Sequence, residues 1–558
     1  IDNKSSVKKD SDFDNIRDTE KYKKLMEISV VALGEKIDFD VAPVIHNSRT
    51  LVPLRKIFER EIDMSKVKIT ETVLRDSHQS LIATRMTTEE MLPILEQMDK
   101  IGYHALEAWG GATFDVAYRF LHESPWERLD KLRELIPNIP FQMLLRGANA
   151  VGYTNYPDNV IRKFVEESAK AGIDVFRIFD SLNWIEGMSV SLDETLNQGK
   201  VAEACICYTG DILDESRTKY NLDYYVNMAK ELEKRGAHIL GIKDMSGLLK
   251  PMAARKLIRA LKEEIGIPIH LHTHDTSGNG IATIMMAAQA DVDIVDAAFN
   301  SMSALTSQPA LNSVVAAVES SRRDTGLNSD DLQKIDDYWK DVRPVYHGFE
   351  SELVTSTAEI YKYEIPGGQY SNLKPQVESF GLGHKFEDVK TMYKTVNQML
   401  GDIVKVTPSS KAVGDMAIFM VQNGLNPENI YEKAESMDFP DSIVSFFEGM
   451  MGQPEGGFPE RPQKLVLKDK KPITCRPGEL LDPVDFDAVK KKLQDEYEHL
   501  VHVVREEVKA ELKEARALGD LSENADYDAA RDMQAQVESR ILQLENMLQH
   551  YELIDTTA

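Results

Sequence analysis

The chain lacks the features that mark secreted, membrane-spanning and nucleic-acid-binding proteins. Its 558 residues include only three cysteines, Cys205, Cys207 and Cys475, too few for a disulfide framework or a thiolate metal site. No apolar run approaches the roughly 18 residues that a membrane-spanning helix needs. A formal net charge of −26 argues against nonspecific binding of nucleic acid, because such binding depends on Lys and Arg that neutralise the phosphates. We therefore expect a cytoplasmic protein with no membrane attachment.

The first residues also lack something, namely the apolar core of a secretory signal. The chain begins with Ile rather than Met, and we expect a fragment or processed piece of a longer protein. Residues 1–65 are interpreted as a linker or as the remnant of a preceding domain. The length predicts two to four domains.

Between about residues 66 and 300, within a barrel domain predicted at 66–340, short apolar strands alternate with helical stretches. The predicted strands are KITETVLRD, HALEAWGG, PFQMLLRG, DVFRIFDS, EACICYTG, HILGIKDM, PIHLHTHD and DVDIVDAA. Residues 87–90, TTEE, form a capping box, and the predicted C-terminal helix caps are Gly102, Gly172, Gly236 and Gly266. Eight such strands predict an α/β fold, a (β/α)₈ TIM barrel. An open doubly wound sheet is the rival, but no Gly-rich phosphate loop follows ITETVLRD.

Two further regions follow the barrel. Turn-rich pieces among helical stretches predict a mostly helical second domain at 341–485, packed on the barrel. Residues 486–558 predict a C-terminal antiparallel α-helical coiled-coil hairpin. Its apolar residues recur at coiled-coil spacing, at 493, 497, 500, 504, 508, 512 and 515 and again at 530, 533, 537, 541, 544, 548 and 551.

Functional residues of a barrel collect at the C-terminal ends of its strands. The first predicted strand ends in Arg75 and Asp76, and the seventh carries His270, His272 and His274. These three histidines alternate, so they point inward together, and His270 lies about 13 Å deeper than His274 at roughly 3.3 Å per residue. One metal ion could then take His272 and His274 with an Asp from another strand. Core packing is the alternative for each histidine taken alone. We expect His272→Asn to lose metal and His270→Asn to lose mainly stability.

Lys243, at the end of the sixth strand, leaves three interpretations open. An ammonium inside a barrel needs a partner or a lowered pKa. It could form a structural ion pair, act as a Schiff-base nucleophile, or be carboxylated by CO₂ and become an anionic metal ligand. The residues alone do not choose among these.

Long motifs throughout the chain resemble one family. They are LRDSHQSLIATRM, EAWGGATFDVAYRFLHESPWERL, QMLLRGANAVGYTNYPDN, FRIFDSLNW, IKDMSGLLKP, LHTHDTSGNG, PGGQYSNL and VTPSSKAVGDMA. From about residue 20 to 495 the chain resembles the carboxyltransferase domain of the pyruvate carboxylase family. Oxaloacetate decarboxylase and transcarboxylase subunits share many of these motifs and remain the alternative, as does another metal-dependent barrel enzyme such as an acyl-CoA lyase.

The resemblance implies a role for each matching residue. It gives a divalent metal, Zn²⁺, Mn²⁺ or Co²⁺, held by Asp76, His272, His274 and a carboxylated Lys243. Arg146 would clamp the pyruvate carboxylate, and Arg75 and Gln79 would bind its ketone or enolate. Asp115 and Tyr153 would shape the entry of biotin, and Thr407 would pass a proton from pyruvate to biotin. The implied reaction moves a carboxyl group from carboxybiotin to pyruvate and gives oxaloacetate, a step of gluconeogenesis.

The resemblance also implies partners. No Met-Lys-Met biotin-attachment sequence and no ATP-binding loop is found in the sequence. The biotinylated carrier domain and the biotin carboxylase would therefore act in trans or belong to sequence missing here, and we expect a homo-oligomer.

The segment EVKAELKEARALGDLSENADYDAARDMQAQVESRILQLENMLQHYELID has a resemblance of its own. It is similar to the N-terminal coiled coil of Gre-type transcript cleavage factors, with Asp520 and Glu523 at the matching tip positions. RNA polymerase binding through this hairpin is the less favoured alternative, because the second, globular domain of those factors is absent from the sequence. A solvated or oligomerising hairpin is the simpler interpretation.

Overall fold

A computed structural model describes residues 66–351, 353–517 and 525–555. Eight parallel strands close into a barrel in sequence order, with β1 pairing β8. The strands are β1 Lys68–Glu71, β2 Ala105–Gly110, β3 Phe141–Arg146, β4 Val175–Phe179, β5 Val201–Cys207, β6 Ile239–Asp244, β7 Ile269–Thr273 and β8 Ile294–Ala297. Both faces of the strands are covered, which explains their nearly continuous apolar sequences. The predicted (β/α)₈ barrel is confirmed.

Helices connect the strands and surround them. Those of the barrel region are α1 His78–Leu81, α2 Thr88–Met98, α3 Ala112–Val116, α4 Pro125–Leu135, α5 Asp158–Lys170, α6 Ile185–Asn197, α7 Leu222–Lys234, α8 Pro251–Glu264, α9 Gly280–Gln289, α10 Leu311–Val318 and α11 Ser329–Val342. The capping box at the start of α2 is formed as predicted. Gly102, Gly172 and Gly236 have positive φ, as left-handed caps require. The prediction was wrong for Gly266, because α8 ends in an extended Ile265 and Gly266 has no positive φ.

The region after the barrel is helical and has its own core. Its helices are α12 Ile360–Tyr363, α13 Gly367–Ser379, α14 Phe386–Met399, α15 Ser409–Gln422, α16 Ile430–Lys433, α17 Asp441–Glu448 and α18 Glu460–Leu467. Their apolar side chains, among them Tyr393, Val413 and Phe446, form a buried cluster that also includes Leu182 of the barrel. This shared cluster packs the helical region against the loop after β4.

The chain divides between Leu481 and Asp482 into two compact units. The second consists of α19 Phe486–His499, a π-helical stretch, α20 Arg505–Ala517 and the long α21 Ala525–Asp555. Arg505 pairs with Glu538, and Glu496 pairs with Arg540, so the two arms run in opposite directions. The predicted antiparallel hairpin is present.

Where its side chains are described, the seam of this hairpin follows the predicted spacing with one exception. Val508, Leu512, Val537 and Ile541 form its buried core. Met533 was predicted to lie in the seam but is 47% exposed. The tip residues Asp520 and Glu523 lie outside the described residues. No helix of the described ranges is long and apolar enough to cross a bilayer.

Candidate active site

The carboxyl ends of the barrel strands carry most of the predicted functional residues. β3 ends at Arg146 and β6 ends with Lys243 and Asp244, as predicted. Arg75 and Asp76 were expected at the end of the first strand, but β1 stops at Glu71. They lie instead in a π-helical turn, Val73–Ser77, in which the amides of Arg75 and Ser77 both donate to the carbonyl of Thr72.

Three of the predicted metal ligands converge. One ligand atom from each of Asp76, His272 and His274 lies within 4.8 Å of the others, and all three residues are buried. Asp76 Oδ2 is 3.4 Å from His272 Nε2 and 3.5 Å from His274 Nε2. The fourth predicted ligand, Lys243, places Nζ 3.4 Å from the same His272 Nε2.

Hydrogen bonds on the far side of each imidazole ring fix which nitrogen faces Asp76. His272 Nδ1 lies 2.5 Å from Asp296 Oδ2, and His274 Nδ1 lies 2.6 Å from the carbonyl of Thr306. A carbonyl or an ionised carboxylate only accepts, so Nδ1 must donate in both rings. In both rings Nε2 is then the nitrogen that faces Asp76.

The donor set fits a divalent cation. Asp76 Oδ2 is buried and accepts no hydrogen bond from any described residue, although Arg75 Nη2 lies 2.8 Å away. Burial alone would raise the pKa of Asp76, but the charge of Arg75 holds this pKa well below its usual range. Burial, followed by the charge of Lys243, lowers the pKa of His272. A carboxylate oxygen and two imidazole nitrogens are ligands that suit Zn²⁺, Mn²⁺ and Co²⁺.

Lys243 is buried in a pocket that disfavours its charge. Burial lowers the pKa of its ammonium, and its Nζ lies 5.5 Å from the ring centre of Phe179. A lowered pKa increases the fraction of neutral amine, which is the form that reacts with CO₂ or a carbonyl.

Arg75, in the same turn as Asp76, lies together with Gln79 close to the start of α3. Arg75 Nη1 donates to Gln79 Oε1 at 3.4 Å, and the amide of Ala112 donates to the same oxygen at 3.0 Å. Gly111 makes this approach feasible, because a Cβ there would lie 3.0 Å from Gln79 Oε1. Its φ of +56° is also one that other residues rarely adopt.

A second group contains Arg146, Tyr153 and Asp115. The Arg146 guanidinium carbon lies 5.1 Å from the centre of the Tyr153 ring, and Arg146 Nη1 donates to the carbonyls of Val151 and Gly152. Tyr153 is 46% exposed and faces solvent, whereas Arg146 is buried. Burial raises the pKa of Tyr153, the charge of Arg146 opposes this rise, and the charge of Asp115 adds to it.

Thr407 belongs to the helical region and lies just before α15. Two neighbours fasten its loop to the barrel. Lys405 Nζ donates to Thr209 Oγ1 beyond β5, and Ser409 Oγ donates to the carbonyl of Ser181 beyond β4. Among the described residues, no hydrogen bond joins Thr407 itself to the other predicted site residues.

A buried charge network beneath the ligands was not predicted. Arg177 on β4 contacts carboxylates from β2, β5 and β8, namely Glu107, Glu203 and Asp296. His270 lies between two of them, with Nδ1 2.8 Å from Glu203 and Nε2 2.7 Å from Asp296. A charged residue at an inward position of an apolar strand is the sequence signal that could have revealed it.

Comparison with known proteins agrees with this geometry. Residues 360–520 match a model described as a conserved carboxylase domain, and residues 201–338 match an HMGL-like model. The carboxyl transferase domain of Rhizobium etli pyruvate carboxylase, solved with pyruvate and biocytin, is 48% identical, with a TM-score of 0.77. That match covers 87% of this chain and 78% of the other. The chain belongs to the pyruvate carboxylase family.

Curated members of the pyruvate carboxylase family are longer than this chain. Pyruvate carboxylase of Bacillus subtilis is 55% identical over 469 residues, which cover 83% of this chain and 41% of that protein. The mitochondrial pyruvate carboxylase of Homo sapiens is 50% identical over 434 residues, 76% of this chain and 37% of the relative. The chain therefore spans about two fifths of these relatives.

The C-terminal hairpin matches a second family. Residues 488–553 match a model described as the N-terminal part of a transcription elongation factor. The carboxylase model extends to residue 520, beyond the expected limit near 495, and the two matches overlap from 488 to 520.

Proposed function

We propose that this chain performs the carboxyltransferase half-reaction, in which a carboxyl group passes from carboxybiotin to pyruvate to give oxaloacetate. The observation that carries the proposal is the convergence of Asp76, His272 and His274 at the mouth of the barrel. A similar carboxyl transferase domain, from Rhizobium etli pyruvate carboxylase, was solved with pyruvate and biocytin. The neighbouring arginines supply positive charge for an anionic substrate. Decarboxylase or transcarboxylase subunits share the motifs but are not among the relatives named above.

We assign a divalent cation, Zn²⁺, Mn²⁺ or Co²⁺, to Asp76, His272 and His274. Carboxylation of Lys243 would supply a fourth, anionic ligand, and its position beside His272 Nε2 supports this. A bound cation supplies positive charge that stabilises negative charge developing on pyruvate. Schiff-base chemistry is less favoured for Lys243, because its Nζ lies against a ligand nitrogen.

Pyruvate would lie between the two arginine groups. The Arg146 hydrogen bonds in the described part of the chain all involve Nη1, so its other two nitrogens can hold a carboxylate in the bidentate manner. Arg75 and Gln79 would donate to the ketone oxygen and then to the enolate oxygen, where charge develops.

Thr407 would move the proton. Its hydroxyl can donate one proton while accepting another, so it can transfer a methyl proton of pyruvate to the basic biotin that remains after CO₂ release. Asp115 and Tyr153, at the exposed rim, would shape the entrance used by biotin. The enolate held by Arg75 and Gln79 then attacks CO₂.

The remaining parts of the reaction would lie elsewhere. Biotin would arrive on a carrier domain charged by a biotin carboxylase, either in trans or on another part of a longer protein. We propose residues 66–340 as the barrel domain, 341–485 as the helical domain that completes the site, and 486–558 as the hairpin. A cytoplasmic homo-oligomer fits these assignments.

The experiment is Thr407→Ala, assayed by biotin-dependent decarboxylation of oxaloacetate and by elemental analysis for metal. We expect the rate to fall by about 10²-fold or more, as for loss of a proton-transfer group, with the metal retained. Thr391→Ala is the matched control, since Thr391 is an exposed threonine of α14 whose hydroxyl donates only along its own helix. A near-normal rate in Thr407→Ala would contradict the assigned role, and loss of metal would show that the site itself had changed.

Polymerase binding by the hairpin is a separate and weaker proposal, supported by the match at 488–553. A transcript-cleavage assay on stalled RNA polymerase tests it, with Asp520→Ala as the control. Cleavage that is equal in the variant and the parent would argue against the role of the tip.

A further inference from the structure

We propose that Asp296 is a positioning residue of the metal site, which holds the His272 ring so that Nε2 faces the cation. This inference rests on the proposed metal site and deepens it. Asp296 is on β8 and is fully buried, and no role for it follows from the donor set alone.

The direction of one hydrogen bond carries the proposal. Asp296 Oδ2 lies 2.5 Å from His272 Nδ1, and this carboxylate can only accept. The Nδ1–H tautomer is therefore selected, and it leaves an unprotonated Nε2 on the opposite edge of the ring. That edge is 3.4 Å from Asp76 Oδ2. Rotation of the ring or the other tautomer would forfeit the bond to Asp296.

Asp296 can hold the ring because it is itself fixed from below. Its Oδ1 accepts from His270 Nε2 at 2.7 Å and from Arg177 Nη2 at 3.1 Å, and Arg177 Nη1 contacts Oδ2. All of these groups are buried, so water does not compete for them. Another rotamer of Asp296 would leave these three buried donors unpaired, so the network holds the carboxylate in one orientation.

The third histidine of the seventh strand thereby gains a connection to the metal. His270 lies too deep to be a ligand, but it shares the Asp296 carboxylate with His272. His274 is oriented differently, by the main-chain carbonyl of Thr306, which no substitution removes. Asp296 is thus the orienting group that a side-chain change can test.

Co²⁺ binding to the full chain, followed by visible absorption and by competition with a chelator, is the first test. We expect Asp296→Asn to weaken Co²⁺ binding by about 10- to 100-fold, the usual effect of losing such a partner. Glu203→Gln is the matched control. Glu203 is an equally buried carboxylate that contacts Arg177 and His270 but makes no described contact with His272. Equal losses in both variants, or no loss in Asp296→Asn, would overturn the proposal.

A second measurement needs no folded variant at Asp296. In the metal-free parent chain labelled with ¹⁵N-histidine, the His272 ring should show the Nδ1–H tautomer, with its signal assigned by its loss in His272→Asn. An Nε2–H tautomer would overturn the proposal even if Asp296→Asn fails to fold. Failure of the parent chain to bind Co²⁺ would instead refute the metal site, so the two failures are distinguishable.

Discussion

The charged side chains at the barrel mouth stabilise one another because they are buried together. Arg75 contacts Asp76 and Glu107, and Arg177 contacts Glu107 and Asp296, so positive and negative groups alternate from rim to floor. A single buried charge is costly, and removal of one partner from a buried pair typically costs about 3–5 kcal/mol. The network therefore allows ligand residues to be buried while keeping them fixed.

Glu71, at the end of β1, predicts a pH dependence of stability. Burial raises its pKa from 4.5 to about 8, although the amides of Val73 and Phe299 donate to its carboxylate. At pH values between 4.5 and about 8, the folded chain keeps this proton and the unfolded chain releases it. The stabilisation that the protonated Glu71 carboxyl adds to the free energy of unfolding is thus complete below pH 4.5 and is lost as pH rises through about 8.

Glu71→Gln should remove this dependence, because an amide does not ionise. The free energy of unfolding, measured by thermal unfolding from pH 5 to 8.5, should decrease less in the variant than in the parent chain. The difference should reach up to a few kcal/mol at ~1.4 kcal/mol per pKa unit. Glu89→Gln, at an exposed position in α2, should behave like the parent chain. Parallel decreases in Glu71→Gln and the parent would count against a protonated Glu71.

The sequence indicated part of this site and missed the rest for a geometric reason. Period-two alternation places His270, His272 and His274 on one face and orders them by depth. It does not tell which strands face them across a closed barrel. Arg177 comes from β4, and closure of the barrel brings it to His272, whereas Asp296 lies on β8, which pairs directly with β7.

At the scale of elements, two connecting segments position the chemistry. The eight strands could be predicted from their apolar sequences, but the turn carrying Asp76 was predicted as strand. It is set by tertiary contacts, since Ser77 Oγ donates to the carbonyl of Met302, 225 positions away. The loop that carries Thr407 is likewise fastened by contacts with residues distant in sequence, since its Lys405 donates to Glu364 and to Thr209.

The Lys405 contacts predict that loop position matters for transfer. Lys405 is 3% exposed, and its Nζ lies 3.0 Å from Glu364 Oε2 and 3.4 Å from Thr209 Oγ1. Lys405→Met keeps most of the apolar stem but removes these bonds, while Arg217 still pairs with Glu364. We expect oxaloacetate decarboxylation to slow by about tenfold or more, since small displacements at a reacting group have large effects.

Metal content distinguishes this effect from general damage and should be unchanged in Lys405→Met. Lys411→Met is the control, because Lys411 is 60% exposed and forms an ion pair with Asp415, four residues further along α15. An exposed pair of this kind contributes little. If the two variants were equally active, anchoring of the loop by Lys405 would not govern the reaction.

At the scale of the whole molecule, the hairpin is built independently of the proposed site. Its core comes from its own two arms, whereas the described clusters of the barrel and the helical region end at Leu467. Its charged surface pairs, such as Arg505 with Glu538, also join its own helices. The coiled-coil spacing was sufficient to predict this unit, because a two-helix seam depends on local periodicity.

A chain ending at Leu481 should therefore keep its metal and its biotin-dependent oxaloacetate decarboxylation to within about threefold, since each unit has a core of its own. A chain ending at Lys340 is the contrasting variant, because it loses Thr407 and the helical core, and it should be inactive. The carboxylase family match continues to residue 520, into the first arm of the hairpin. Loss of activity on truncation at Leu481 would mean that this arm is part of the carboxyltransferase and that the hairpin is not an independent addition.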